Sequence, residues 1–385
     1  MSILDPADWG FPVPIHYGPG RIAEIAAIAS RAGMQRPLIV TDRGSHDLPF
    51  VAGIRDLLTE AGLAAEIFAG FSPNPLDREA LEGKAAYDAG GHDGVIALGG
   101  GSGMDGGKAV ALLAGCDVPV AALDYLLPVP ETRGFPPLIC VPTTAGTGAE
   151  TECTAMITDT ERGIKICIAH PDIKPAAAIL DPALTVKLPA TLTAWTGIDA
   201  MVHAIEAYSV PGFHPLCDGA ALEALKLIGG SLRTAYTDPG NLQARGAMLV
   251  GSCLAGIAFL KGLGLVHAVS HMVGAVYDTH HGLTNAVMLA PVLRFNEDAL
   301  GAKAGEMAHA LGYGREDFAS LYAGVCATLD DLSIPTGLAE LGVGDNRIAE
   351  LAQKAMGDAA VETNPRRASL EEMAALIRDS LSENR

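Results

Sequence analysis

The sequence predicts an α/β domain followed by an all-helical domain. Up to about Asp181, short apolar runs of strand length alternate with amphipathic helical segments. This alternation is typical of a mostly parallel sheet with helices on both faces. Beyond that point only helical periodicity is found. Because 385 residues are enough for about two domains, we predict domains at 1–184 and 185–385.

The predicted elements follow in chain order. The first half contains helices at 21–32, 51–61 and 77–89, and an Ala/Leu-rich helix after Lys108. Its strands are predicted at 37–42, which we expect to be buried, and at 65–68, 94–98, 138–142, 165–169 and 176–180. The second half contains helices at 193–208, 218–237, 241–260 and 266–276, and further helices to the C-terminus.

Composition disfavours several classes of protein. A formal charge of −19 argues against nucleic acid as a partner, because phosphate binding needs clustered Lys and Arg. No unbroken apolar run reaches the ~18–20 residues of a membrane span, and residues 1–9 lack the features of a signal peptide. The seven cysteines form no C-x-x-C pair, which favours free thiols in a reducing compartment. We therefore expect a cytoplasmic protein.

A glycine-rich turn, Gly99-Gly-Gly-Ser102, follows a predicted strand and opens a helix. Glycines let backbone amides approach a phosphate closely, and a helix N-terminus attracts anions. The spacing of Gly101, Gly103 and Gly106 matches a dinucleotide fingerprint, but weakly so in a chain with 45 glycines. The turn favours a nucleotide site, and a ligand-free turn is the alternative.

Two further polar segments follow predicted strands. Asp42 ends the strand at 37–42, where a carboxylate can accept hydrogen bonds from ribose hydroxyls and would repel a 2′-phosphate. This placement favours NAD over NADP. The Thr- and Gly-rich segment 143–150 follows the strand at 138–142 and offers hydroxyls at the same sheet edge. The plainer alternatives are a loop acid and an ordinary turn.

One aspartate and several histidines predict a divalent-metal site. Asp199 and His203 are four residues apart and lie on one helical face, and His267 and His271 repeat this spacing. A carboxylate with imidazoles suits Fe²⁺ or Zn²⁺, and the lack of a thiolate favours a catalytic over a structural site. Spacing alone pairs His267 with His271 and leaves His281 doubtful.

Five motifs over residues 12–300 are highly specific as a set. They are Gly99-Gly-Gly-Ser-x-x-Asp-x-x-Lys108, Pro142-Thr-Thr-x-Gly-Thr-Gly148, Ala178-Ile-Leu-Asp-Pro182, Thr196-Gly-Ile-Asp-Ala-Met-Val-His-Ala-Ile-Glu-Ala-Tyr208, and Gly264-Leu-Val-His-x-x-x-His271 with His281-Gly282 and Asn285-Ala286. With these motifs the chain resembles the iron-containing (group III) alcohol dehydrogenase family.

The resemblance implies a dehydroquinate synthase-like fold, with a Rossmann-like dinucleotide-binding domain followed by a helical metal-binding domain. It assigns the metal to Asp199, His203, His267 and His281, and makes His271 a catalytic residue that relays protons beside the nicotinamide. The implied nucleotide contacts are Asp42, Asn74, Gly100, Gly101, Ser102, Asp105, Thr143, Thr144, Thr147, Lys165 and Leu184. It also implies a homodimer or larger homo-oligomer.

Two departures from the family pattern remain open. His280 stands where relatives commonly have proline, and it could compete for metal or face solvent, which we favour. Lys261 belongs to a Leu-Lys pair that replaces a common Ser-Asn pair. It could attract an anionic substrate, or it could be a solvated lysine at a helix end, which we favour.

These features predict an NAD- and divalent-metal-dependent dehydrogenase. It would transfer a hydride reversibly between nicotinamide and a primary alcohol, diol or hydroxy acid, with Fe²⁺ as the expected metal and Zn²⁺ as the alternative. A metal-independent, maleylacetate-reductase-like enzyme is the runner-up, although the intact Asp/His set disfavours it. A non-catalytic metal or nucleotide sensor is the alternative from another class, and it would bind NADH without turnover.

Overall fold

The computed structural model describes residues 13–382 and Arg385. Residues 1–9, for which we expect no signal peptide, lie outside this part of the chain. The described residues form two compact units. The α/β unit contains residues 13–144 and Ala149–Lys187, and the helical unit contains Ala145–Gly148 and the residues from Leu188 onward. We predicted a boundary at 184, and the two units divide after Lys187.

The α/β unit is built on a parallel sheet. Its strands are β1 (Ile15–Tyr17), β2 (Pro37–Asp42), β3 (Glu66–Phe71), β4 (Gly94–Gly99), β5 (Leu138–Pro142), β6 (Thr154–Asp159), β7 (Ile164–Ala169) and β8 (Ala177–Leu180). Within residues 13–187, six of these strands form one fully parallel sheet in the order β1-β8-β5-β4-β2-β3. β6 and β7 form a separate antiparallel pair.

Helices cover both faces of this sheet because the strand side chains alternate between two apolar cores. In β4, Val95 and Ala97 belong to one core, and Ile96 and Leu98 belong to the other. The helices of this unit are α1 (Ile25–Arg31), α2 (Pro49–Glu60), α3 (Asp77–Gly90) and α4 (Gly101–Gly115). α3 and α4 pack on the first core, and α1 and α2 pack on the second.

The predicted fold class is confirmed, with local differences. The strands predicted at 37–42 and 138–142 have the observed bounds. The segment at 165–169 is a strand, but it pairs with β6 instead of joining the parallel sheet. The helix predicted at 21–32 begins as the 3-10 turn Arg21–Glu24 before α1.

The helical unit packs around one buried helix. Its helices are α5 (Ala190–Ser209), α6 (Pro215–Thr237), α7 (Leu242–Ala258), α8 (Leu265–Tyr277), α9 (His281–Leu300), α10 (Ala302–Leu311), α11 (Phe318–Asp331), α12 (Ile348–Ala355), α13 (Ala360–Thr363) and α14 (Leu370–Asp379). α5 is buried over most of its length from Thr193 and packs against α6, α7 and α9. The helix predicted at 241–260 ends earlier, at Ala258, and continues as the 3-10 turn Phe259–Lys261.

One helical stretch in the described part of the chain, Leu242–Lys261, has the length and apolar composition to cross a membrane. Its most apolar window has a mean hydropathy of 1.4, and 67% of that window is buried inside the protein. Burial of this extent is also typical of a core helix, so the composition of this stretch alone is weak evidence for a span.

Candidate functional site

Four side chains of the helical unit gather their donor atoms at one place. They are Asp199, His203, His267 and His281, and one donor atom from each lies within 4.8 Å of the other three. The first three residues are buried, and His281 is half-buried. These are the residues to which the family resemblance assigns the metal, whereas spacing alone favoured His271 over His281.

Three helices supply these donors. α5 carries Asp199 and His203 on one face, α8 carries His267 near its start, and α9 begins at His281. α9 can approach α5 closely because residue 282 is glycine, where a Cβ would lie only 2.6 Å from the carbonyl oxygen of Trp195. The close approach leaves His281 Nε2 3.6 Å from Asp199 Oδ1.

The chemical state of His203 suits a metal ligand. Burial lowers the pKa of His203 to about 4, although the nearby Asp199 carboxylate opposes the shift. Its ring stacks on that of His267, with centroids 4.5 Å apart. The imidazole is therefore neutral near pH 7 and keeps the lone pair that coordination requires.

Glu206 connects α5 to the start of α8. Its Oε2 is 2.6 Å from His267 Nδ1 and accepts a hydrogen bond from Gly264 N at 3.0 Å. Its Oε1 accepts from Val266 N at 2.8 Å. The carboxylate thus satisfies free amides at the helix start and favours the Nδ1–H tautomer of His267, which leaves Nε2 as the donor nitrogen.

The amide of Asn285 lies where three of the four donors converge. Its Nδ2 is 2.7 Å from Asp199 Oδ1, 3.1 Å from His281 Nε2 and 3.2 Å from His267 Nε2. Two amide hydrogens cannot satisfy three acceptors at once. Among the described residues, Asn285 Oδ1 itself is buried without a hydrogen-bond partner. Buried acceptors that share too few hydrogens fit a divalent cation, and this donor set suits Fe²⁺ or Zn²⁺.

His271 lies beside this cluster and has a different partner. Its Nδ1 is 2.8 Å from Asp358 Oδ2, and its ring stacks on that of His281 at 5.3 Å between centroids. Burial would raise the pKa of Asp358, but His271 and the Ala360 amide together hold it below the usual range. The spacing of His267 and His271 therefore places both on one helix without placing both in the donor cluster.

The structure also shows the contacts of His280 and Lys261, the two residues that depart from the family pattern. His280 is half-buried and caps α9, accepting a hydrogen bond from Leu283 N at 3.4 Å, and its ring lies 5.0 Å from that of Trp195. The favoured view that it simply faces solvent is wrong.

Lys261 Nζ is 2.6 Å from Asp218 Oδ1, and its side chain is only 5% exposed. Lys261 is therefore not a solvated lysine, and its charge is already paired.

The predicted nucleotide residues of the α/β unit meet at the carboxyl ends of neighbouring strands. Asp42 ends β2, and its carboxylate accepts hydrogen bonds from the amide and hydroxyl of Ser45, each at 2.9 Å. A Cβ on Gly99 would lie 3.0 Å from Asp42 Oδ2, and Gly99 has a φ of +138° that favours glycine. Thr143 N donates to Gly99 O at 2.8 Å and joins the turns after β4 and β5.

The start of α4 lies at this same edge. Gly100 is its N-cap, and Gly101 and Ser102 form its first turn. A Cβ on Gly100 would lie 3.2 Å from Thr144 Cγ2, so the two segments are adjacent. Asp105 follows on the same helix and is half-buried. A helix N-terminus beside a bare glycine backbone is suited to a phosphate group.

The remaining predicted contacts are more scattered. Lys165 Nζ on β7 donates to Asn74 Oδ1 at 3.0 Å, so these two are brought together. Leu184 lies in the 3-10 turn Pro182–Thr185 and packs against an apolar core of the α/β unit. Thr147 belongs to Ala145–Gly148, which groups with the helical unit, so the α/β unit alone does not gather it with the others.

Two family models match the chain. The model described as iron-containing alcohol dehydrogenase matches residues 12–182. The model described as the C-terminal part of the Fe-containing alcohol dehydrogenase family matches residues 193–381. The two matches together span most of the chain.

Relatives match the chain over nearly its whole length. It is 36% identical to the NAD-dependent methanol dehydrogenase of Bacillus methanolicus, covering 94% of this chain and 97% of that protein. It is 35% identical to the 1,3-propanediol dehydrogenase of Klebsiella pneumoniae, covering 97% and 98%. The solved structure of a 1,3-propanediol oxidoreductase superposes with a TM-score of 0.92 at 34% identity, covering 97% of this chain and 99% of that one.

Proposed function

Because the chain belongs to the iron-containing alcohol dehydrogenase family, we propose that Asp199, His203, His267 and His281 bind its divalent metal ion. The family resemblance drawn from the sequence motifs is confirmed. The chain is an alcohol dehydrogenase, an oxidoreductase of CH–OH donors that uses a nicotinamide nucleotide and a divalent metal. The assignment of individual residues is our proposal.

One observation carries the metal assignment. Four donor atoms lie within 4.8 Å of one another, and three of them contact a single amide nitrogen that cannot satisfy them all. Three imidazoles and one carboxylate suit either Fe²⁺ or Zn²⁺, and we propose Fe²⁺, with Zn²⁺ as the substitute, because the matching family models are described as iron-containing.

We assign separate roles in the reaction to Glu206, His203 and His271. When bound, the metal polarises the substrate oxygen and the nicotinamide accepts or supplies the hydride. Glu206 holds the ring of His267, and burial keeps His203 neutral. Alcohol oxidation also releases one proton. We assign its transfer to His271 Nε2, since Nδ1 is engaged by Asp358 and the side chain keeps 9% of its surface exposed.

We propose NAD as the nucleotide, with NADP less favoured. Asp42 lies next to the glycine turn that would receive the phosphates, and its negative charge would repel a 2′-phosphate. The proposed contacts are Asp42, Asn74, Gly100, Gly101, Ser102, Asp105, Thr143, Thr144, Thr147, Lys165 and Leu184. The relative from Bacillus methanolicus, NAD-dependent by its name, supports the same nucleotide.

A small primary alcohol or diol is the substrate that we propose. By their names, two relatives act on methanol and on 1,3-propanediol. A hydroxy acid is less favoured as the substrate. The positive charge of Lys261, which could have attracted its carboxylate, is already paired with Asp218.

We also propose a cytoplasmic homodimer or larger homo-oligomer. Cys116, Cys140, Cys153, Cys217 and Cys326 are free thiols, which is consistent with a reducing compartment. Sedimentation or light scattering of the purified chain measures the assembly directly.

The decisive assay combines metal exchange with nucleotide oxidation. The protein is stripped with a chelator and reloaded with Fe²⁺, Zn²⁺ or no metal, and NADH and NADPH oxidation is followed with short aldehydes, hydroxyaldehydes and aldehyde acids. We expect activity with Fe²⁺ above Zn²⁺, none without metal, and preference for NADH. Undiminished activity after complete metal removal would contradict the proposal and favour a metal-independent reductase.

A further inference from the structure

Asp358 is a buried carboxylate, distant in sequence, that faces His271. Both of its oxygens are engaged: Oδ2 lies 2.8 Å from His271 Nδ1, and Oδ1 accepts a hydrogen bond from Ala360 N at 2.9 Å. The side chain is 10% exposed. A carboxylate held by a backbone amide on one side has little freedom, so its second oxygen presents a fixed acceptor to the imidazole.

The segment that carries Asp358 is anchored to the start of α8. Asn364 Oδ1 accepts from Leu265 N at 3.2 Å, and Thr363 Oγ1 donates to Leu263 O at 2.7 Å. Asn364 Nδ2 in turn donates to Asn296 Oδ1 on α9 at 2.8 Å. The segment containing Asp358 is thus tied to α8, which carries His271, and to α9, so the distance from Asp358 to His271 is set by several hydrogen bonds.

This contact determines which nitrogen of His271 carries the proton. A carboxylate can only accept a hydrogen bond, so it favours the Nδ1–H tautomer and leaves a lone pair on Nε2. Without it, a neutral imidazole in water distributes its proton over both nitrogens and its ring can turn. The rate of proton transfer by an imidazole depends on the orientation of its ring and on which nitrogen carries the proton.

We propose that Asp358 is a positioning residue for the reaction, holding the His271 ring in the Nδ1–H form so that Nε2 handles the alcohol proton. The inference rests on the proposed function of His271. It adds a residue that neither the metal cluster nor the nucleotide residues include, and it gives the segment 358–364 a functional task.

Kinetics of the metal-loaded enzyme test the proposal. In Asp358→Asn we expect kcat and kcat/KM to fall together, roughly 10- to 100-fold, because a group acting only in the transition state is impaired. Asp358→Glu restores a carboxylate and should recover part of the loss. Adding Asp358→Asn to His271→Gln should cost nothing further, since the first residue acts through the second.

The matched control is Asp317→Asn. Like Asp358, Asp317 accepts a hydrogen bond from a backbone amide in the first turn of a helix, that of Ser320 at 2.8 Å, but it does not contact His271. We expect unchanged kcat and metal content in this variant. An equal loss of kcat in Asp317→Asn and Asp358→Asn would mean that the lost hydrogen bond to a backbone amide is the only effect, and would overturn the proposal.

A tautomer measurement separates this inference from the proposed role of His271. Long-range ¹H–¹⁵N NMR on zinc-loaded, ¹⁵N-histidine-labelled protein, assigned with His271→Gln, should show Nδ1–H in the native enzyme and a mixture in Asp358→Asn. An unchanged tautomer in Asp358→Asn would overturn the inference. A changed tautomer with unchanged kcat would instead show that His271 does not transfer the proton, and the catalytic role of Asp358 would fail with it.

Discussion

His267 and His271 stand one turn apart on α8, and each has a buried carboxylate at its Nδ1. Glu206 lies 2.6 Å from the first ring and Asp358 lies 2.8 Å from the second. The two pairs differ in what surrounds the rest of the ring. His267 Nε2 shares the Asn285 amide with Asp199 and His281, whereas His271 is outside the donor cluster. We therefore propose that the same pairing serves a metal ligand in one case and a proton carrier in the other.

The largest expected effect comes from removing His267, the proposed metal ligand. In His267→Ala we expect loss of bound metal and a fall in activity of roughly 1,000-fold or more, since the stabilisation supplied by a Lewis acid is several kcal/mol. Elemental analysis and turnover on one sample measure both. His309→Ala, an exposed histidine of the same unit, is the control. Full metal retention in His267→Ala would remove the distinction between the two histidines.

The second histidine should behave differently. In His271→Ala we expect metal content to stay at the native level while kcat falls roughly 100-fold, within the contribution of a positioned proton-transfer group. The same two measurements apply. If this variant loses its metal, His271 is itself a ligand, and the proposed difference in role between His267 and His271 is contradicted.

A smaller effect is expected from the carboxylate behind the ligand. Glu206→Gln should weaken metal affinity roughly 10- to 100-fold, because the ring of His267 loses its charged acceptor. Competition with a chromophoric chelator gives the affinity. Glu223→Gln, which only alters an exposed pair with Lys226, should leave it unchanged. Equal affinities in the two variants would show that Glu206 serves the helix start alone.

The smallest effect is expected on the enzyme's preference between NADH and NADPH. Asp42→Asn removes the charge expected to reject a 2′-phosphate, so the ratio of NADPH to NADH efficiency should rise about tenfold, or ~1.4 kcal/mol. Metal content should not change, which separates this site from both histidine pairs. A ratio that stays constant would mean that other residues set the nucleotide preference.

Much of the fold could be predicted because its elements carry strong local patterns. β2 and β5 are continuous apolar runs, and α5 begins after a proline and is apolar on nearly every face. β1 was missed because three half-exposed residues carry no pattern. β7 was predicted as a strand, but its antiparallel pairing with β6 could not be predicted, since an isoleucine-rich run does not reveal the direction of its neighbour.

The candidate site could be predicted only in part. Helical spacing identified Asp199 with His203, but it also favoured His271 over His281, because a loop separates His281 from α8. The family resemblance gave the four residues that the structure brings together. Asp358 had no sequence signal, since 87 positions separate it from His271. Asn285 appeared only as part of a motif, and its contacts with three donors emerge from the packing of α5, α8 and α9.

The central claim is that His267 and His281, but not His271, bind the metal together with Asp199 and His203. Anomalous diffraction from a crystal of the iron- or zinc-loaded enzyme, recorded on both sides of the metal absorption edge, tests it most directly. We predict one peak about 2.0–2.3 Å from one donor atom of each of the four side chains, with His271 Nδ1 still on Asp358. A peak bonded to His271, or one lying away from Asp199 and His281, would contradict the account.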